Sequence, residues 1–206
     1  MPDVFLEKVQ TVEELQSIGG EPSKLAANKV INFMDENCEL FISHSPFLTI
    51  ATSSSEGSDV SPRGDQPGFV KVIDQRHLLI PERPGNKRMD SLRNILENPN
   101  VGLLFIVPGR EETLRINGKA CIVKDQLLLE DCEAFGKIPL LGIGIEVKEC
   151  FIHCGKALKR SHLFEQEYWP SIDSLPSAAK MLADHSKLES ESVSKSLIES
   201  YTERLY

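Results

Sequence analysis

No stretch of this 206-residue chain approaches the roughly 18 consecutive apolar residues that a membrane-spanning helix requires. Residues 1–10 also lack the basic-then-apolar order of a secretory leader. Excess positive charge is missing as well: 23 Lys and Arg against 31 Asp and Glu leave a net charge of -8. Non-specific binding to nucleic acid or to an anionic membrane needs a basic surface, so both are excluded as general functions, and local basic clusters carry the interest. Cysteine is scarce. Five residues, an odd number at irregular spacing, make no disulfide framework, and the expectation is a cytoplasmic protein in a reducing compartment. Cys150, His153 and Cys154 lie close together, but a zinc site wants about four ligands and no second cluster supplies the rest. They read as buried packing residues, with no metal.

What is present is an ordinary globular composition, 40% hydrophobic and 26% charged, in a length that suits one domain. The expected arrangement is N-terminal helices over residues 1–45, a barrel core over 46–154 and a helical extension over 155–206. Thr11 and Glu14 have capping-box spacing for a short first helix. Leu25, Ala26, Val30, Ile31 and Met34 recur at three and four, which predicts a second helix over about 22–35. The period then shortens. Apolar runs at 47–52, 69–73, 77–80 and 101–107, alternation from Glu112 and a long run at 141–153 predict short antiparallel strands. A helix over 86–97 and another near 127–135 interrupt them. The fold class expected is mainly β within an α+β design, a β-barrel with peripheral helices.

Four segments carry chemistry. In Arg83-Pro84-Gly85-Asn86-Lys87-Arg88 a strand ends, the chain turns, and two cations precede a helix whose first N–H groups already favour an anion, which outlines a phosphate site. The bland alternative is a solvated basic turn paired with Glu82 and Asp90. Ser61-Pro62-Arg63-Gly64-Asp65 sets a guanidinium fork in a bend, either for an anion or as a surface pair with Asp65. Thr113, Arg115 and Asn117 share one strand face, which must meet water, a ligand or a partner. Finally, residues 151–161 run from a strand into a basic turn, with Lys156 and Arg160 four apart on one helical face and His153 just before them.

Taken together, residues 78–81, 86–88, 94–105 and the run Arg115-Ile116-Asn117-Gly118-Lys119-Ala120 resemble the pyridoxamine 5'-phosphate oxidase superfamily. There a strand, a basic phosphate-binding turn, a helix ending in Asn-Pro and an apolar strand follow in order. The segments around Arg63, Lys87 and residues 151–161 resemble a bacterial branch of FMN-dependent flavoproteins in it, and the likeness spans roughly 47–169. The resemblance implies an FMN-binding split barrel that works as a homodimer with FMN at the subunit interface. It implies that Arg63, Asn86, Lys87 and Arg88 hold the phosphate and ribityl end. Thr113 stands where the family often has a Gln near the flavin, with Arg115 on the same face. His153, Lys156 and Arg160 are candidates for the ring or substrate side.

The family's Arg-Leu-His-Asp-Arg type motif is replaced here by His153-Cys154-Gly155-Lys156-Ala157-Leu158-Lys159-Arg160, which counts against vitamin B6 as substrate. The expectation is an FMN-dependent oxidoreductase with an unidentified small-molecule substrate and no assignable catalytic base. The alternatives are an FMN-binding or redox-sensing protein without turnover, and a haem-handling split barrel using His153 or His162.

Overall fold

The computed structural model describes residues 4–206. The chain divides into two units, one ending at Val30 and the other spanning Ile31–Tyr206. In the first, α1 (Val12–Gly19) starts at Thr11, whose hydroxyl accepts a hydrogen bond from the Glu14 N–H at 3.2 Å. The short α2 (Lys24–Asn28) is capped in the same way by Ser23. The long helix expected over 22–35 does not form.

In the second unit Ile31 takes strand-like partners instead, exchanging backbone hydrogen bonds of 3.0 and 2.7 Å with Cys150. Met34 is fully buried and its N–H donates to the Gln75 carbonyl. Asp35 then opens a helix that apolar spacing did not reveal, α3 (Glu36–His44), by accepting from the Cys38 N–H at 2.9 Å. A three-and-four apolar repeat is thus shared between a helical turn, an extended crossing and a cap. Tertiary partners for Ile31 outweigh local periodicity.

Seven antiparallel strands follow: β1 (Phe47–Ser54), β2 (Gly57–Gly64), β3 (Lys71–Asp74), β4 (His77–Pro81), β5 (Asn100–Ile106), β6 (Thr113–Val123) and β7 (Gly142–His153). They form one sheet in the order β2-β1-β5-β6-β7-β4-β3. This is the expected split barrel with peripheral helices, and its interior is filled by alternate side chains. Leu48 and Ile50, Leu103 and Phe105, Leu114 and Ile116, and Ile143 and Ile145 are all at most 2% exposed. A bulge separates Asn117 from Gly118, where Lys148 on β7 is skipped in the register. A Cβ on Gly118 would lie 2.3 Å from the Glu146 carbonyl oxygen, so the close approach of β6 and β7 at the bulge requires glycine.

The helix α4 (Asp90–Glu97) lies across β1 and β2 and is tied to that hairpin by polar contacts. Asn94 donates to the Thr52 hydroxyl at 3.0 Å, Asn98 to the Ser53 hydroxyl at 2.9 Å, and Glu97 accepts from the Ser55 N–H at 2.7 Å. Leu92 and Ile95 are buried, whereas Met89 and Leu96 are exposed, so one narrow face of the helix meets the core. Further along, α5 (Gln126–Glu130) is shorter than expected, α6 (Lys156–Ser161) follows β7, and α7 (Ala178–Ser186) and α8 (Ser190–Thr202) pack on each other.

The sides of the sheet that no backbone ladder joins are bridged by crossed ion pairs. Arg63, on β2, donates to Glu82 at 3.2 Å, and Arg83, just past β4, donates to Asp65 at 2.6 Å. Residues 61–64, expected as a bend, are therefore strand, and the local Arg63–Asp65 pairing gives way to two longer-range pairs. β2 is an edge strand, where Pro62 is tolerated for want of an N–H. Asp65 also accepts from the Tyr206 hydroxyl at 2.7 Å and from the Gln66 N–H at 2.7 Å. Burial pushes its pKa up, but the hydrogen bonds from Tyr206, Gln66 and Arg83 outweigh burial and hold it below the ordinary 3.8.

The cysteine expectation holds in part. Cys38, Cys132 and Cys150 are buried, with 3.4 Å between the sulfurs of Cys38 and Cys150, while Cys121 and Cys154 are exposed and all five are free. The hydrogen bond to Cys38 and burial push the Cys150 thiol's pKa up.

Two outcomes follow from this architecture. Gly118→Ala should destabilise the protein by about 1–3 kcal/mol through overpacking at the bulge, read as a lower urea midpoint at unchanged slope. An unchanged midpoint would show that β7 yields freely there. Because the folded-state pKa of Asp65 is depressed, its stabilisation is present above the ordinary pKa and is lost as pH falls through the folded value. Asp65→Asn should therefore cost roughly 1–3 kcal/mol at pH 7, with the gap to wild type closing below about pH 4. A gap independent of pH would contradict the assignment.

Candidate functional site

Between β4 and α4, residues 82–89 cross the open end of the barrel as a loop whose conformation departs from the expected helix start. The Asn86 side-chain oxygen accepts from the Arg88 N–H at 3.0 Å, which folds the chain into an Asx turn. Lys87 and Met89 both adopt left-handed backbone conformations, each with φ 61. These are unusual for residues with a Cβ and mark a loop held in place by its surroundings. Helix α4 begins only at Asp90, and Met89 at its N-cap provides no side-chain hydrogen bond. The first-turn N–H groups are therefore left without a side-chain cap, at the positive end of the helix dipole.

A cavity of about 360 Å³ opens on one side of this loop, against β2. It gathers Arg63, Asn86 and Arg88 with the hydroxyl-bearing Ser61 and Ser91 and the N-terminal residues of α4. Both guanidiniums are paired internally: Arg63 with Glu82, and Arg88 with Asp90 at 2.7 Å. The Asp90 pair, with the hydrogen bond as its larger part, raises the Arg88 pKa. Ser91 donates to Asp59 at 3.0 Å and Ser61 to the same carboxylate oxygen at 2.7 Å, which fixes both hydroxyls. Guanidinium forks, the Asn86 amide NH2 and an uncapped helix start supply donors suited to a phosphate, while the Ser61 and Ser91 oxygens, whose protons go to Asp59, can accept from a polyhydroxyl chain.

The adjacent cations Lys87 and Arg88 line different cavities. Lys87 lines a second cavity of about 370 Å³ on the opposite side of the loop, with Met89, Leu92 and Leu141. Asn86 borders both cavities.

The remaining sequence candidates lie elsewhere, where β6 and β7 pair. Thr113 stands opposite His153 and Arg115 opposite Phe151, whose ring centroid lies 5.5 Å from the Arg115 guanidinium carbon. The predicted polar face divides. Thr113 is 5% exposed although it shares a strand face with Arg115, Arg115 is exposed, and Asn117 is half-buried and donates to Glu149 at 2.6 Å. His153, Lys156 and Arg160 are exposed, the last two on α6. Thus one group holds Arg63, Asn86 and Arg88, and a second holds Thr113, Arg115 and His153, with Lys156 and Arg160 on the helix that follows.

Sequence reasoning gave Glu82 and Asp65 only local partners and missed Tyr206. Glu82 and Asp65 hold the arginines of the barrel split, and Tyr206 reaches Asp65 from the far end of the chain. The alternation of charge in Arg63, Asp65, Glu82 and Arg83 was a readable signal for the crossed pairs. Nothing local announced Tyr206, which lies 141 positions from its partner.

Among the described residues, no group of three or more His, Cys, Asp and Glu is placed to hold a metal ion, and no helix is long and apolar enough to cross a membrane. No curated protein sequence matches the chain. Solved structures with similarity to it include HupZ of Group A Streptococcus, at 17% identity over 57% of this chain and 92% of that one, with a TM-score of 0.47. A pyridoxamine 5'-phosphate oxidase candidate from Lactobacillus delbrueckii matches at 21% identity over 59% and 95%, with a TM-score of 0.46. An FMN-binding protein from Syntrophomonas wolfei matches at 10% identity over 55% and 81%, with a TM-score of 0.43. The model of the pyridoxamine 5'-phosphate oxidase family matches residues 34–152, from the buried Met34 through the crossed pairs and the 82–89 loop to the end of β7. That match spans more than half of the sequence, and the chain belongs to the pyridoxamine 5'-phosphate oxidase family.

Proposed function

We propose that the protein is an FMN-dependent oxidoreductase of the cytoplasm, acting as a homodimer on a small molecule other than a vitamin B6 phosphate. The observation that carries this reading is the convergence of Arg63, Asn86 and Arg88 with the uncapped start of α4 on one polar cavity, inside the family match. That donor set fits the phosphate and ribityl end of FMN. When bound, the flavin supplies the hydride and electron chemistry, and the protein supplies orientation and electrostatics.

Each residue then has a separate task. Arg63 is partly buried and pre-aligned by Glu82, so its fork meets an anion with little loss of rotamer freedom. Arg88 is exposed and exchanges Asp90 for the phosphate. Ser61 and Ser91, whose protons are held by Asp59, offer oxygens that accept from the polyhydroxyl chain. Thr113, Arg115, His153, Lys156 and Arg160 are assigned to the ring side, where Lys156 and Arg160 share one helical face. A homodimer with the flavin at its interface is supported by exposed apolar side chains on the barrel strands, Val60, Ile73 and Ile152 among them. A reducing compartment agrees with five free cysteines.

Titration of the purified protein with FMN, followed by absorbance between 350 and 500 nm on the order of the flavin bands, should show saturable uptake by a dimer, with light scattering on the same sample. Arg63→Ala and Arg88→Ala should each weaken FMN by roughly 10–100-fold while leaving the circular dichroism spectrum intact. A folded wild-type protein that takes up no flavin would remove the cofactor assignment, and with it the reaction class.

A further inference from the structure

The two cavities that flank the 82–89 loop share Glu82, Arg83, Pro84, Gly85, Asn86 and Met89, so they are two sides of one site. The second, of about 370 Å³, has Leu140 and Leu141 in its lining. It also has Tyr206, a residue that lies beyond both the barrel strands and the family match.

Tyr206 is held at three points. Its hydroxyl donates to Asp65 at 2.7 Å, and its backbone oxygen accepts from the Lys137 ammonium. Its ring lies 4.5 Å from the Phe135 ring and 5.9 Å from the Arg83 guanidinium carbon. Asp65 and Arg83 form one of the crossed pairs, and Arg83 opens the loop, so the contact acts on the loop at its root.

The residues that lead to Tyr206 are turned to solvent. Tyr201 and Leu205 are 66% and 58% exposed, Glu203 and Arg204 are exposed, and α8 packs chiefly on α7. Arg204 donates back to the Ser196 carbonyl on α8. A single anchored residue after an exposed segment can leave its seat by breaking few contacts, and local openings of that kind cost far less than unfolding.

We propose that Tyr206 is a positioning residue that latches the flavin site. Docked on Asp65 and Phe135 it walls the apolar side of the loop; released, it opens a path by which the flavin enters and leaves. The inference rests on the FMN reading and adds to it the step that controls cofactor exchange. A latch has a kinetic signature: uptake and release both scale with the fraction of molecules in which it is open. A residue that merely steadies the bound state changes release and does not speed uptake.

The experiment uses the full chain stripped of flavin. FMN uptake, and release on dilution, are followed by stopped-flow flavin fluorescence in wild type and variants whose circular dichroism matches it. Tyr206→Phe removes the hydrogen bond to a carboxylate and keeps the ring, and should speed both uptake and release by roughly tenfold. Tyr206→Ala also removes the ring contacts and should do so at least as strongly; if it fails to fold, Tyr206→Phe decides the question. Tyr201→Ala, on the exposed side of α8, should change neither rate. Unchanged rates in Tyr206→Phe, or faster release with uptake unchanged or slower, would overturn the latch while FMN binding by wild type upholds the flavin reading. An equal effect of Tyr201→Ala would also overturn it, as a general loosening of α8. No FMN uptake by folded wild type would remove the flavin reading and the latch with it.

Discussion

The crossed pairs Arg63–Glu82 and Asp65–Arg83 are the constraint on which the rest of this molecule depends. A seven-stranded sheet that does not close by backbone hydrogen bonds must hold its two sides together by other means. Here the means is electrostatic, in side chains at most about a quarter exposed, where charges attract more strongly than on an open surface. Taking those charges out of water has its own cost, which the additional hydrogen bonds to Asp65 from Gln66 and Tyr206 help to offset. Specificity of closure is gained as much as stability.

The same pairs position the chemistry. Arg63 can present its fork to the polar cavity because Glu82 holds its Nε. Arg83, which also lines that cavity, gives its Nε to Asp65 and lies beside the Tyr206 ring. The 82–89 loop leaves the second member of each pair and is then bent by the Asn86 turn and the two left-handed residues. Alternate conformations along so short a segment send neighbouring side chains to opposite sides. For this reason Lys87 and Arg88, adjacent in sequence, line different chambers.

Much of the fold was legible beforehand. The apolar runs that became β1, β4, β5 and β7 have the length and bounding turns of strands, and alternation from Glu112 marked the start of β6 to within a residue. The errors share one cause. Residues 22–35 carry a helical repeat, but Ile31 finds a sheet partner in Cys150 and Asp35 finds a helix to cap, neither of which periodicity can encode. Likewise Pro62 and Gly64 suggested a bend, yet an edge strand accommodates both. At the site, Arg63, Asn86 and Arg88 were identifiable from residue type and order, and the structure brings them together. Thr113, on the predicted polar face, is covered by its neighbours, because a hydroxyl is small enough to be buried where Arg115 on the same face is not.

By itself the sequence determined the class of the protein: period-two apolar runs of strand length joined by short links, with helical runs between them, bury their faces in an antiparallel α+β arrangement rather than a parallel sheet. It also determined which cations were available, since residue type decides what can meet a phosphate. The tertiary structure decided which of them share a cavity, which carboxylates hold them, and that Tyr206 meets an aspartate 141 positions away. The physical reason is range: periodicity and capping act over a few residues, whereas ion pairing and cavity walls are set by which chain segments the packed core brings within a few ångströms.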